Sequence, residues 1–123
     1  CSSDLPRIRA EIKGITLLGG HSSHSYINGT NMYFNYFYDI DCAPELENDE
    51  YYFPIIDIIC EETLRFGGSI VHHHGIGKLR QDFVKDIYSP GALAVSSEIK
   101  KALDPTNVFG AKNHAIAGEV DIH

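Results

Sequence analysis

Asn28-Gly29-Thr30-Asn31-Met32-Tyr33-Phe34-Asn35-Tyr36-Phe37-Tyr38 is the stretch that sets the fold class of this chain. Asn-Gly is a strong turn signal, and the run behind it is rich in Tyr and Phe, which favours a strand over a helix. Upstream, Ile15 to Leu18 is an apolar run closed by Gly19-Gly20, as at a strand start. Residues 15–26 and 31–39 therefore read as an antiparallel hairpin with an irregular connection.

The flanks supply helices. Leu5 to Lys13 predicts a short one, with Pro6 suited to its first turn. Asp39 to Glu50 is acidic, holds Pro44 and Asn48, and reads as a surface loop. From Tyr51 to Phe66 the pattern turns helical, with Ile55, Ile58 and Ile59 on one side and Glu61, Glu62 and Arg65 mostly on the other. Pro54 must sit in its first turn or kink it, and Gly67-Gly68 is a good stop. Ser69 to His74 reads as a third strand running into a loop, in one sheet with the strand that carries Tyr33. Leu79, Phe83, Val84 and Ile87 share a helical face. Ser89-Pro90 caps a final helix with Ala92, Val95, Ile99, Ala102 and Leu103 at core spacing, and Asp104-Pro105 ends it. The sum is α+β, an antiparallel sheet flanked by helices.

Composition narrows the function classes. At 123 residues the chain is one domain's worth, with little room for a complete cofactor enzyme. Hydrophobic residues at 43% and charged residues at 22% are ordinary for a globular protein. A net charge of −7 argues against a nucleic-acid binder. No apolar run reaches the roughly 18 residues of a membrane span. Cys1, Cys42 and Cys60 are sparse and unpaired in sequence, which fits a reducing, cytoplasmic setting and no cysteine zinc site. No export signal opens the chain, and Cys1 to Pro6 reads as the cut end of something longer.

The chemistry gathers at His72-His73-His74-Gly75-Ile76-Gly77-Lys78-Leu79-Arg80. Imidazoles titrate near neutrality and can act as acid, base or donor to an anionic intermediate. In an extended segment His72 and His74 would face one way and His73 the other. Gly75 and Gly77 allow a tight turn, and Lys78 and Arg80 bring positive charge for a small anion. A metal is the weaker reading, because successive side chains diverge. A second candidate is His21-Ser22-Ser23-His24-Ser25-Tyr26 followed by Tyr33. Against both stand plain alternatives: a solvated loop, and polar residues on an edge strand beside a packing tyrosine.

Gly67 to Arg80 resembles the C-terminal region of FAD-linked oxidases of the vanillyl-alcohol oxidase superfamily, in particular the alkyldihydroxyacetonephosphate synthase branch. Gly29 to Phe34, Ala102 to Asn107 and Val108 to Asn113 agree in the same order, so the likeness covers residues 15–115. The resemblance implies a large upstream FAD-binding domain. Residues 1–104 would be the C-terminal part of the cap, or substrate, domain, half of a ferredoxin-like fold, and 105–123 a tail returning to the flavin domain. It assigns the chemistry to Tyr33, which handles the substrate proton, and to His72, His73 and His74. Lys78 and Arg80 would hold a small anionic substrate, a phosphate or a carboxylate, and Asn113 would lie at the flavin. Other relatives are flavin dehydrogenases of 2-hydroxy acids, in which two histidines and a glutamate hold a divalent metal. Here Tyr33 and His73 replace two of those ligands while His21 and Asn35 keep their matches, so no metal is expected. A non-catalytic ligand-binding module is the reading from another class. Parted from its flavin domain, such a piece should expose an apolar or aromatic face, and a homodimer can form through that face or through sheet edges.

Overall fold

Alternation along the aromatic strand decides which residues face inward. The computed structural model describes residues 3–109, and the chain divides into two units, Cys1–Glu62 and Thr63–His123. In the first, helix α1 (Asp4–Glu11) leads into strand β1 (Ile15–His21), which pairs antiparallel with strand β4 (Tyr33–Tyr38). Between them a two-residue hairpin, β2 (Ser25–Tyr26) and β3 (Gly29–Thr30), turns over Ile27 and Asn28. The expected hairpin is present, but β1 stops at His21 instead of running on to residue 26. Asn31 accounts for the stop. Its Oδ1 accepts from the backbone N–H groups of Ser23 at 3.3 Å and His24 at 2.8 Å, drawing them out of any ladder.

The pleat sorts the hairpin's side chains. Ile15, Leu18, Tyr36 and Tyr38 pack on a buried cluster of Ile8, Ile12, Tyr51, Ile55 and Ile58, which joins α1 to helix α2 (Phe53–Arg65). Tyr38 is a structural tyrosine: its hydroxyl donates to Glu47 Oε1 at 2.9 Å. Burial first, and the Glu47 carboxylate second, push its pKa up to about 12. The opposite face pairs Leu17 with Phe37, Gly19 with Asn35 and His21 with Tyr33.

The acidic segment after β4 is not all loop. A 3-10 turn spans Pro44–Leu46, and a π-helical turn over Asn48–Tyr52 runs straight into α2. Pro54 gives the reason. It has no N–H and its ring crowds the carbonyl four residues back, and a wider turn ahead of it relieves both.

In the second unit the expected third strand is missing. Ser69 Oγ donates to the Val71 carbonyl at 2.7 Å and accepts from its N–H at 3.4 Å, so local side-chain bonds take what a neighbouring strand would use. The described sheets are the two hairpin pairs alone, and Tyr33 and His72 therefore do not share one. Leu79, Phe83, Val84 and Ile87 do not form a single α-helical face either. Lys78–Phe83 is a 3-10 turn ahead of the short helix α3 (Val84–Ile87), and only Val84 of the four is buried.

Helix α4 (Pro90–Leu103) starts as its sequence predicts: Ser89 Oγ accepts from the Ala92 N–H at 3.3 Å and Pro90 occupies the first turn. Among the described residues its apolar spacing meets no buried core. Val95, Ile99 and Leu103 are 61%, 55% and 79% exposed, and no residue of the helix is buried. Spacing marks a face as apolar without supplying what covers it.

Asp104 closes α4 and clamps the chain that follows. Its buried carboxylate takes the Lys100 ammonium and accepts from the N–H groups of Val108 and Phe109, each at 2.9 Å. The Lys100 hydrogen bond foremost, with the two backbone donors, holds this carboxyl below the usual carboxylate range. A group lowered on folding stabilises above its unfolded pKa, and that stability is lost as pH falls through the folded value. The Val108 and Phe109 amides are therefore expected to be protected relative to their intrinsic exchange rates at neutral pH, and to lose that protection at acid pH. Asp104→Asn should show the reduced protection already at pH 7. Equal exchange in parent and variant would rule the clamp out.

Candidate active site

Tyr33 stands on the face of β4 that points away from the buried cluster, half-buried, with the exposed Asn35 and Phe37 beyond it on the same side. Across the ladder its partner is His21, and the two rings stack with centroids 5.0 Å apart and planes 19° from parallel. Asn35 Nδ2 lies 3.0 Å from His21 Nδ1. Packing against the core is therefore not the role of Tyr33, whereas Tyr36 and Tyr38 fill that role one pleat away.

The histidine loop belongs to the second unit. Its bends gather the three imidazoles instead of alternating them: ring centroids are 4.7 Å apart for His72 and His73 and 4.4 Å for His73 and His74. The extended arrangement, with His73 facing the other way, is thus overturned, because the segment has no strand partner to hold it flat. Nδ1 of His72 and Nδ1 of His73 lie 2.7 Å apart, so one ring donates and the other accepts. That bond orients the two exposed rings, and the ring N–H not used in it can donate to a third group.

Two glycines then turn the chain, Gly75 at φ 74° and Gly77 at φ 56°, both in the left-handed region that a side chain disfavours. Lys78 and Arg80 follow in the 3-10 turn, Lys78 exposed and Arg80 half-buried. Asn113 lies outside the described residues, as does the stretch from Gly110 onward. Among the described residues no three His, Cys, Asp or Glu side chains come together around a metal position. No helix among them is long and apolar enough to cross a membrane.

Sequence reasoning passed over Asn31 and its bonds to the backbone of Ser23 and His24. A signal was available: an Asn just past a tight turn, facing a Ser-rich segment, is well suited to bond that segment's backbone.

The sequence model of the family described as "FAD linked oxidases, C-terminal domain" matches residues 4–113, and the chain belongs to this family. FAD is the family's cofactor and oxidoreduction its chemistry. Among curated proteins, the chain is 54% identical over 111 residues to the uncharacterized FAD-linked oxidoreductase YgcU of Escherichia coli K12, covering 87% of this chain and 23% of that protein. It is 32% identical over 114 residues to the alkyldihydroxyacetonephosphate synthase of Caenorhabditis elegans, covering 89% of this chain and 19% of the synthase. The synthase of Trypanosoma brucei brucei is 32% identical over 92 residues, 74% of this chain and 14% of its own length. The chain thus spans less than a quarter of the curated relatives it matches. No solved structure matches it.

Proposed function

We propose that this chain is the C-terminal part of the substrate domain of an FAD-dependent oxidoreductase that acts on a small anionic substrate, in the manner of the alkyldihydroxyacetonephosphate synthases. On this reading residues 1–104 belong to the cap and residues 105–123 return to the FAD-binding domain, with Asn113 near the flavin. The observation that carries it is the gathered triad of His72, His73 and His74 with Lys78 and Arg80 a glycine turn away. Identity to named synthases supports the substrate class, since the more similar relative carries no substrate in its name.

Each unit carries groups that suit the substrate side of such an enzyme, a phenol in the first and three imidazoles and two cations in the second. FAD, when bound, supplies the electron acceptor. Tyr33 takes and returns the substrate's proton. The His72–His73 pair offers a ring N–H as hydrogen-bond donor to the oxygen where negative charge develops, with the Nδ1 contact between the rings holding their orientation. Lys78 and Arg80 hold the remote anionic group, Arg80 through its planar fork.

The test uses the full-length, flavin-loaded enzyme and the variant Lys78→Ala with Arg80→Ala. Loss of two cations that grip a remote anionic group should raise KM by about 10-fold or more and lower kcat less, since that grip is the same in ground and transition states. An unchanged KM for the anionic substrate would count against the assignment. Bleaching of the bound flavin by lactate, glycolate or 2-hydroxyglutarate, with no turnover of an alkyldihydroxyacetonephosphate-type substrate, would make the enzyme a 2-hydroxy-acid dehydrogenase instead.

A further inference from the structure

The outward face of the hairpin holds an arrangement that the proposed chemistry has not yet used. His21 sits directly opposite Tyr33, and Asn35 is two residues further along β4 on the same face. Asn35 Nδ2 is 3.0 Å from His21 Nδ1. An amide nitrogen only donates, so Nδ1 of this imidazole must accept, and the ring's own proton is then on Nε2. The same bond ties down the plane of the ring, which lies 19° from that of Tyr33 at a centroid distance of 5.0 Å. On an exposed face such a bond competes with water and adds little to stability. What it does add is orientation.

We infer that His21 is the positioning residue of Tyr33, and that Asn35 works through His21 by fixing the tautomer and plane of its ring. This rests on the reading of Tyr33 as the group that handles the substrate proton. The angle of the phenol ring depends on what lies against its face. An oriented imidazole stacked on one side narrows the range of that ring, so the hydroxyl meets the substrate at a more defined angle. With its proton held on Nε2, His21 also presents a donor alongside the phenol ring, and its Nδ1 is kept occupied. Gly19, opposite Asn35, leaves this part of the face bare: a Cβ there would meet nothing within 4 Å.

The two claims separate in experiment. Side-chain nitrogen shifts of His21, read by NMR, report where the proton sits. The near-isosteric Asn35→Asp reverses the bond, because a carboxylate only accepts and Nδ1 must then carry the proton. The parent should show Nε2–H and the variant a protonated Nδ1. In the full-length, flavin-loaded enzyme, Asn35→Asp and His21→Ala should each slow flavin reduction by about 10-fold to 100-fold with flavin content and KM little changed, as expected for a misplaced reacting group. The double variant should be no slower than His21→Ala, since Asn35 acts only through that ring. A parent tautomer with Nδ1–H, an Asn35→Asp enzyme at parental rate, or additive losses would each overturn the inference. Tyr33→Phe keeps the two readings apart. If it is inactive while His21→Ala is not, only the positioning role falls; if it retains full turnover, the proposed function falls first.

Discussion

Tyr33→Phe, made in the full-length, flavin-loaded enzyme, is expected to turn over at least about 100-fold more slowly than its parent, the range in which a positioned acid or base contributes. The substitution removes one oxygen from a half-buried side chain on the outward face of the hairpin, so the ring and its stack on His21 survive. Flavin absorbance and thermal stability should therefore match the parent. That separation of rate from folding is what distinguishes a reacting hydroxyl from a packing one. For Tyr38, whose hydroxyl donates to Glu47, the same change would instead be felt in stability. Near-parental turnover in Tyr33→Phe would remove Tyr33 from the chemistry.

A loss of similar size is expected for His73→Ala. His73 is the central ring of the triad, 4.7 Å from one neighbour and 4.4 Å from the other, and it is half of the Nδ1 pair with His72. Its removal leaves His72 without that partner and opens a gap in front of His74. Groups that act as a unit fail together, so adding His72→Ala should cost little more than His73→Ala alone. The ring is exposed, and the fold should not register its loss. Multiplying, independent losses from the two substitutions would show that the imidazoles act separately.

The reading from sequence succeeds where the cause is local. Aromatic enrichment in β4 and the Ser89-Pro90 start of α4 depend on residues within a few positions of each other, and both appear where the pattern puts them. It fails where a partner is needed. Residues 69–74 have the composition of a strand, yet a strand exists only beside another, and Ser69 meets the backbone's needs instead. Val95, Ile99 and Leu103 have core spacing but no core. The histidines were legible as a string and not as a cluster, because the alternation rule holds for extended backbone alone. On the hairpin the pairing of His21 with Tyr33 depends on where β1 ends, and Asn31 sets that end through bonds invisible to periodicity.

Gly19 gives that outward face a means of gauging distance. It sits in ordinary strand conformation between two side-chain pairs, with nothing within 4 Å of a Cβ built on it. A single added carbon therefore finds open space there. A loss of activity in Gly19→Ala would therefore point to a body that approaches that face from outside, because the added Cβ meets nothing in the domain. On the proposed function, the position is thus a feeler gauge for clearance beside Asn35 in the full-length enzyme.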